Sequence, residues 1–261
     1  MQNQIHKFYS FDFPKIKTDF ILSVGSMCRV AHHLRRNRLR ELACPLDWMI
    51  NDKLEVVYDL FQSDFKDFFR SCSITKQDPF EVKDNHNDML AIHYFFPNQD
   101  LEIQAKRVNG QAIRRWNTIK NIILSSKNVV FVRSGDFDLK TASKFLQKVA
   151  KLFNKNGGGG GYYLINVSHN EKLQEDEMIM QTFDLGENLT LIHYSVFEKE
   201  DDFRGNISFW NQMLKQSIIM KRSKMLKNAY NEIKIRFIRS CKRRKAFFTK
   251  KIESDLDATQ L

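Results

Sequence analysis

The residue best suited to chemistry is Cys28, which follows the apolar stretch 19–25 and lies in the first turn of a predicted helix over residues 26–39. The first N–H groups of a helix have no intrahelical partner, and the helix dipole places partial positive charge there. Both effects favour the thiolate, and Arg29 adds positive charge. We therefore predict that Cys28 has a lowered pKa and acts as a nucleophile, with the N–H groups able to hold an oxyanion. The alternative is a small buried residue that fills the junction.

A nucleophilic thiol needs a base, and several histidines could supply one. His32 shares a helix face with Cys28 because it lies four residues further on. His93 lies in the strand-like stretch AIHYFF, and His169 and His193 also lie near predicted strands. A hydrogen-bonded structural role is the alternative for each imidazole.

A carboxylate that orients the imidazole could come from Asp47, in the loop CPLDWM, or from Asp136, which follows a predicted strand over 128–133. Asp47 sits in a loop that Pro45 restrains. A turn cap is the alternative role for this side chain, because Asp often bonds its own backbone in turns.

Three arginines and one serine are predicted to bind substrate. Arg114 and Arg115 lie in an otherwise apolar helix, and Arg133 ends a predicted strand. Arginine forks match carboxylate and phosphate groups, so these side chains suit an anionic part of a substrate. Ser26 is the predicted N-cap of the helix that carries Cys28. Surface solvation or ion pairing is the alternative for at least one arginine.

The order of predicted elements indicates an α/β protein with a mostly parallel sheet and helices on both faces. Ligands bind at the carboxyl ends of the strands in such sheets, which is where Cys28 is predicted to lie. Residues 71–88 are polar and are predicted to be irregular. The predicted strands cover 19–25, 89–96, 128–133, 162–167 and 188–197, and the predicted helices cover 26–39, 52–70, 111–125 and 139–154.

The net charge of +11 is concentrated near the C-terminus, where residues 211–251 hold 14 Lys or Arg and a single acidic residue. We predict an α/β catalytic-type domain over 1–205 and a basic helical extension over 206–261, with one long helix over 212–250. Such a helix could lie on an anionic membrane surface, bind nucleic acid or pack on the domain. Its recurring apolar residues are Ile219, Leu226, Tyr230, Ile233, Phe237 and Cys241.

The cysteines, the glycine run and the N-terminus bear on cofactors, nucleotide binding and location in the cell. The four cysteines form no CxxC pair and no Cys/His cluster with zinc spacing, so we expect neither a metal site nor another cofactor. The glycine run at 157–161 precedes a strand, whereas a phosphate loop precedes a helix, so we interpret it as a connector. The N-terminus lacks the apolar core of a signal peptide, and we expect a cytoplasmic protein.

Several of these motifs together resemble a bacterial family that is named for papain-like cysteine peptidases and began as a domain of unknown function. Its members open with a strand, a small-residue turn, a Cys, an Arg-rich helix and a Pro-(Phe/Leu)-Asp-Trp element. Here these are the stretch from Ser23 to Cys28, the helix to Arg40 and the segment 45–48. A His followed by aromatics, paired arginines and an FVR strand then follow, and the similarity covers about residues 19–200.

The resemblance implies that Cys28 is the nucleophile, His93 the base and Asp47 its orienting carboxylate. Tyr94 departs from the family, in which we expect an acid after the histidine. The strand that leads into the Cys is more similar to the elbow of a flavodoxin-like or SGNH-hydrolase-like fold than to papain.

The function that the resemblance implies is a cysteine hydrolase or acyltransferase. Relatives are associated with surface-polysaccharide genes, and a looser similarity links the chain to a capsule-biosynthesis family associated with acyl transfer. The expected partner is an acyl or glycan-linked small molecule. Residues 212–250 could bring the chain into contact with the inner membrane. Nucleic acid is the least favoured partner. The alternative is a non-catalytic, membrane-associated accessory protein of envelope polysaccharide assembly.

Overall fold

The computed structural model describes residues 4–26, 28–51, 53–153, 160–199, 202–235 and 237. The chain divides into two compact units, Met1–Met220 and Lys221–Leu261. The first unit is a mixed α/β structure, and the described part of the second contains a helix over residues 222–235.

The described strands and helices follow one another in an irregular alternation. The strands are β1 (Ile5–Lys7), β2 (Ile16–Lys17), β3 (Phe20–Ser23), β4 (Met49–Ile50), β5 (Cys72–Gln77), β6 (Phe80–Asp84), β7 (Met89–Ala91), β8 (Asn128–Ser134), β9 (Gly161–His169), β10 (Glu177–Asp184), β11 (Leu189–Val196) and β12 (Ile218–Ile219). The helices are α1 (Cys28–Arg36), α2 (Leu54–Gln62), α3 (Leu101–Ser125), α4 (Leu139–Phe153) and α5 (Ile207–Ser217), and Phe8–Ser10 form a short 3-10 helix.

The main sheet has six strands in the order β1-β10-β11-β9-β8-β3. Strands β3, β8, β9 and β11 are mutually parallel, whereas β10 and β1 are antiparallel to their neighbours. The prediction of an α/β protein is therefore confirmed. Strand β10 was not predicted, because its mixed polar pattern lacks the continuous apolar run of the buried parallel strands.

Helices cover both faces of this sheet. On one face, Phe61 of α2 stacks on Trp116 of α3 with ring centroids 4.3 Å apart, and Phe131 of β8 packs edge-on against Phe145 of α4. On the other face, Tyr194 of β11 packs against α5, and α1 contacts both β3 and α5. Each large side chain buried in this way contributes about 1.5–3 kcal/mol relative to exposure.

A second sheet has four antiparallel strands in the order β4-β7-β6-β5. The prediction that residues 71–88 are irregular is wrong, because they contain the β5–β6 hairpin. Strand β5 is an exposed edge, so its polar residues need no buried face. The strand predicted over 89–96 ends at Ala91, and His93 lies beyond it.

The prediction of a single helix over 212–250 is wrong for the residues that the structure describes. Helix α5 ends at Ser217, and β12 pairs in parallel with β2 before a helix begins again at residue 222. Ser217 and Ile218 are buried, which favours an extended pairing over a solvated helix here. Residues from 238 onward lie outside the described residues. Among the residues that are described, no helix is both long and apolar enough to cross a membrane.

A buried carboxylate links α1 to the segment before α5. Glu198 accepts hydrogen bonds from the Trp210 indole N–H at 3.0 Å and from the backbone N–H of Asn206, and its Oε1 lies 3.4 Å from Arg29 Nη1. Burial raises the pKa of Glu198, and the Arg29 charge partly offsets this effect. Removing either partner would leave a buried polar group unsatisfied, which is costly.

This packing predicts a large effect of Gly205→Ala. Gly205 has φ +60°, and an added Cβ would overlap the Glu198 carboxylate. We expect a loss of about 3 kcal/mol or more in the free energy of unfolding, measured by urea denaturation. Gly186→Ala is the matched control, because Gly186 has φ +74° with nothing within 4 Å of an added Cβ. It should cost about 1 kcal/mol. Equal losses in the two variants would contradict this account.

Candidate active site

The turn between β3 and α1 is held on two sides. The N–H and the hydroxyl of Ser26 both donate to the Ser134 carbonyl, at 3.0 and 2.8 Å, and the Ser134 N–H donates to the Gly25 carbonyl. On the other side, the Asn51 N–H donates to the Ser26 carbonyl. Gly25 has φ +98°, a conformation that side chains rarely adopt. These bonds fix the backbone that leads into Cys28, the first residue of α1.

The Cys28 thiol is half-buried, and its pKa is raised above the ordinary value. Burial is the largest cause, the negative charge of Asp47 adds to it, and the Cys28 backbone N–H opposes both. The predicted lowering is therefore wrong in direction. Desolvation outweighs the amide at the helix start, and Arg29 is directed toward Glu198 instead of the thiol. The resting side chain is a thiol at neutral pH, so its reaction requires a base.

Asp47 caps its own turn and also acts on the thiol. The buried carboxylate accepts a hydrogen bond from the Cys44 N–H at 2.9 Å and lies 3.1 Å from Arg40 Nε. The Asp47 N–H donates to the Cys44 carbonyl and closes the turn. The predicted turn cap is present, and the negative charge of Asp47 contributes to the raised pKa of Cys28.

The second sheet brings His93 beside this turn. Met49 of β4 pairs with Ala91 of β7 in antiparallel register, so the residues just before β4 lie next to those just after β7. The exposed His93 ring accordingly packs edge-on against Trp48, with centroids 5.8 Å apart. Within the described residues, no hydrogen bond joins an imidazole to the Cys28 thiol. The role of His93 as base stays a prediction.

Tyr94 and Arg115 extend the cluster, and Tyr94 was not predicted as a site residue. The Tyr94 hydroxyl accepts a hydrogen bond from Arg115 Nη1 at 3.4 Å. Burial raises the pKa of Tyr94 to about 12, the Arg115 charge lowers it, and the charges of Asp47 and Cys44 raise it. The charges of both Arg115 and Asp47 thus act on the Tyr94 hydroxyl. The feature of the sequence that could have identified Tyr94 as a site residue is its position directly after His93.

Comparison with known families bears directly on this arrangement. A family model described as "Putative papain-like cysteine peptidase" matches residues 19–158. The chain belongs to this family. The match confirms the family resemblance, and it includes Cys28, Asp47, His93 and the paired arginines. No curated protein and no solved structure shows a significant match to the chain.

The other predicted substrate-binding residues of this family member lie in different environments. Arg114 is exposed on α3, whereas Arg133 is buried at the end of β8. A Cβ on Gly135 would lie 3.0 Å from Ser26 Oγ and 3.4 Å from Arg133 Nη2, so both side chains flank Gly135 near the Cys28 turn. The Ser26 hydroxyl already donates to a backbone carbonyl, which is a structural role. Asp136 is exposed.

Two other candidate histidines have structural contacts. His32 packs edge-on against Phe203, and burial together with nearby arginines lowers its pKa. His169 accepts a hydrogen bond at Nδ1 from the backbone N–H of Glu198. Neither ring is hydrogen-bonded to Cys28, although His32 shares its helix. His193 forms a separate cluster on the main sheet.

A cleft of about 220 Å³ lies beside the Cys28 turn. Asn51 lines this cleft, and its N–H also donates to the Ser26 carbonyl in the turn. Its charged residues are Lys53, Lys83 and Asp88, and Asp88 pairs with both lysines at 2.9 and 2.6 Å. Those two bonds hold the pKa of Asp88 at about 2, below its ordinary value. No metal-binding group of three or more His, Cys, Asp or Glu side chains occurs in the described part of the chain.

The electrostatics predict how Cys28 reacts with iodoacetamide. Its alkylation rate should rise with pH through a midpoint above that of free cysteine, because the pKa is raised. Asp47→Asn removes a negative charge and should accelerate labelling at neutral pH by about threefold to tenfold. Asp136→Asn, which alters an exposed carboxylate, is the control and should change nothing. Peptide-resolved mass spectrometry measures the rates, and a wild-type midpoint at or below that of free cysteine would contradict the account.

Proposed function

We propose that this chain is a thiol-dependent hydrolase or acyltransferase with Cys28 as the nucleophile. The observation that carries the proposal is a half-buried thiol at the first position of α1, at the carboxyl end of a parallel strand. The strand-to-helix turn is typical of nucleophile elbows in flavodoxin-like or SGNH-hydrolase-like enzymes. Membership of a family named for cysteine peptidases supports the same chemistry.

The proposed reaction begins when the Cys28 sulfur attacks an acyl carbon and the thiol proton passes to His93. A C–S bond forms, the tetrahedral intermediate collapses, and the leaving group departs with the proton from His93. The result is a thioester on Cys28. Water then hydrolyses the thioester, or a hydroxyl or amine acceptor takes the acyl group, and the proton returns to the sulfur.

The raised pKa of Cys28 suits a mechanism in which the base removes the thiol proton during the attack on the acyl carbon. Because burial and, to a smaller extent, the Asp47 charge disfavour the free thiolate, the proton leaves the sulfur as the new bond forms. We assign the same carboxylate the role of the orienting acid of the catalytic base. Unpaired N–H groups in the first turn of α1 are the source of oxyanion stabilisation in this mechanism.

The proposed substrate has an anionic part close to its acyl group. Arg115 lies beside Tyr94 near the Asp47 turn, and Arg133 flanks Gly135 at the adjacent strand end. Guanidinium groups favour carboxylates and phosphates, both of which occur in activated glycans. We propose cell-surface glycan biosynthesis or modification as the setting.

Acetylation by p-nitrophenyl acetate tests the nucleophile and the base. Peptide mass spectrometry should locate an acetyl group on Cys28, and Cys28→Ala should lack it. His93→Gln should slow acetylation by about a hundredfold or more, because a positioned base contributes on that scale. His86→Gln is the matched control, since His86 is also an exposed histidine of the second sheet region, and it should react like wild type. Equal rates for His93→Gln and His86→Gln would rule out His93 as the base.

A second candidate function is membrane association, as part of an enzyme or as an accessory protein of envelope assembly. The helix over 222–235 presents Leu226, Tyr230 and Ile233 with about two-thirds of each side chain exposed, and Phe237 continues their spacing. Intervals of four, three and four residues place them on one side of the helix. Lysines and Arg222 occupy neighbouring positions, which favours anionic lipid at the cytoplasmic surface of the inner membrane.

Vesicle sedimentation tests this surface on the full chain. Binding to vesicles with anionic lipid at low salt should weaken at high salt, and it should be absent with zwitterionic lipid alone. The double substitution Leu226→Ser and Ile233→Ser should weaken binding at least about tenfold. Ile235→Ser, on the opposite side of the same helix, is the control. Binding that changes neither with salt nor with the double substitution would refute the proposal that this helix binds anionic membranes.

A further inference from the structure

A row of polar side chains crosses the main sheet near the carboxyl ends of its parallel strands. Arg133, Asn166, His193 and Gln181 are successive cross-strand partners on β8, β9, β11 and β10. The rows on the amino-terminal side of this one are apolar, for example Phe131, Leu164 and Leu191. A polar row inside a buried sheet needs internal hydrogen bonds, and those of His193 have a specific arrangement.

The His193 ring lies between an acceptor and a hydroxyl. Its Nδ1 is 3.1 Å from Gln181 Oε1, and its Nε2 is 2.8 Å from Ser168 Oγ. An amide oxygen can only accept, so Nδ1 carries the proton and Nε2 presents its lone pair to the Ser168 hydroxyl. Ser195 Oγ lies 3.3 Å from Ser168 Oγ. A hydroxyl, an imidazole in this tautomer and an orienting acceptor are the parts of an activated serine.

The surroundings keep this imidazole neutral. Phe137 stacks on the His193 ring with centroids 3.8 Å apart, and burial lowers the pKa of His193 to about 4. The side chains that hydrogen-bond to the ring or stack on it, those of Ser168, Gln181 and Phe137, are all uncharged. Arg133 is the charged member of the row and lies two strands away, and burial is the cause of the shift. His193 can therefore accept a proton throughout the neutral range.

We propose that Ser168 is a second nucleophile of this protein, with His193 as its base and Gln181 as a positioning residue, for activated carboxyl or phosphonyl esters. Ser168 is half-buried on β9, two strands from β3, which corresponds to about 10 Å across the sheet. The inference goes beyond the proposed function, because none of its steps uses Cys28. It adds a hydroxyl nucleophile at the same edge of the sheet as the thiol.

An alkyl fluorophosphonate tests this site on the full chain. The Ser168 oxygen attacks phosphorus, an O–P bond forms, the P–F bond breaks with departure of fluoride, and the hydroxyl proton passes to His193 Nε2. Peptide mass spectrometry should locate one adduct on Ser168. Ser168→Ala should abolish it, whereas Ser195→Ala and Cys28→Ala should retain it. Loss of the adduct in Cys28→Ala alone would place the reaction at the thiol and overturn the inference.

The pH profile separates an activated serine from one that reacts without a base. Labelling should be constant through the neutral range and should fall only as the pH approaches about 4, where His193 becomes protonated. Gln181→Glu should raise the midpoint of this fall, because a carboxylate stabilises the imidazolium. Circular dichroism confirms that the variants remain folded at each pH. An absent adduct, or a midpoint that Gln181→Glu leaves unchanged, would overturn the proposal.

Discussion

The proposed chemistry of this protein depends on how the turn between β3 and α1 is held in place. The Ser134 carbonyl accepts both the N–H and the hydroxyl of Ser26, and the Asn51 N–H binds the Ser26 carbonyl from the second sheet. The turn therefore connects three structures, namely the end of β8, the start of α1 and the end of β4. Because the thiol follows this turn within two residues, its position relative to the Asp47 turn is set by backbone hydrogen bonds instead of by its own contacts.

Electrostatics then decide which form of the thiol is present. A helix start favours the thiolate, but burial and the Asp47 carboxylate oppose it more strongly, and the pKa of Cys28 is raised. Arg40 pairs with Asp47, and Arg115 bonds Tyr94, so a cation from another part of the chain lies beside each of these two side chains. In the proposed mechanism, the site thus combines a protonated thiol with the Asp47 carboxylate as the orienting acid. This combination favours proton transfer during attack over a preformed ion pair.

The sequence predicted the buried parallel strands and α4 well, because continuous apolar runs and a helical apolar period carry strong signals. It did not predict the β5–β6 hairpin, since an exposed edge strand has little apolar pattern. Arg29 illustrates a different limit. Its position next to Cys28 indicated a charge near the thiol, but the side chain points to Glu198, 169 residues further along the chain. Likewise, the Ser168–His193–Gln181 contacts depend on the register of three strands, which local sequence does not specify.

The most direct test of the central claim is a crystal structure of the protein with a stable thioester on Cys28. The account predicts that the thioester carbonyl oxygen lies about 3 Å from backbone N–H groups in the first turn of α1, with His93 on the side where a water or acceptor would approach. A carbonyl directed into bulk solvent, with no N–H donor near it and His93 still packed only against Trp48, would contradict the claim that this turn is an active site.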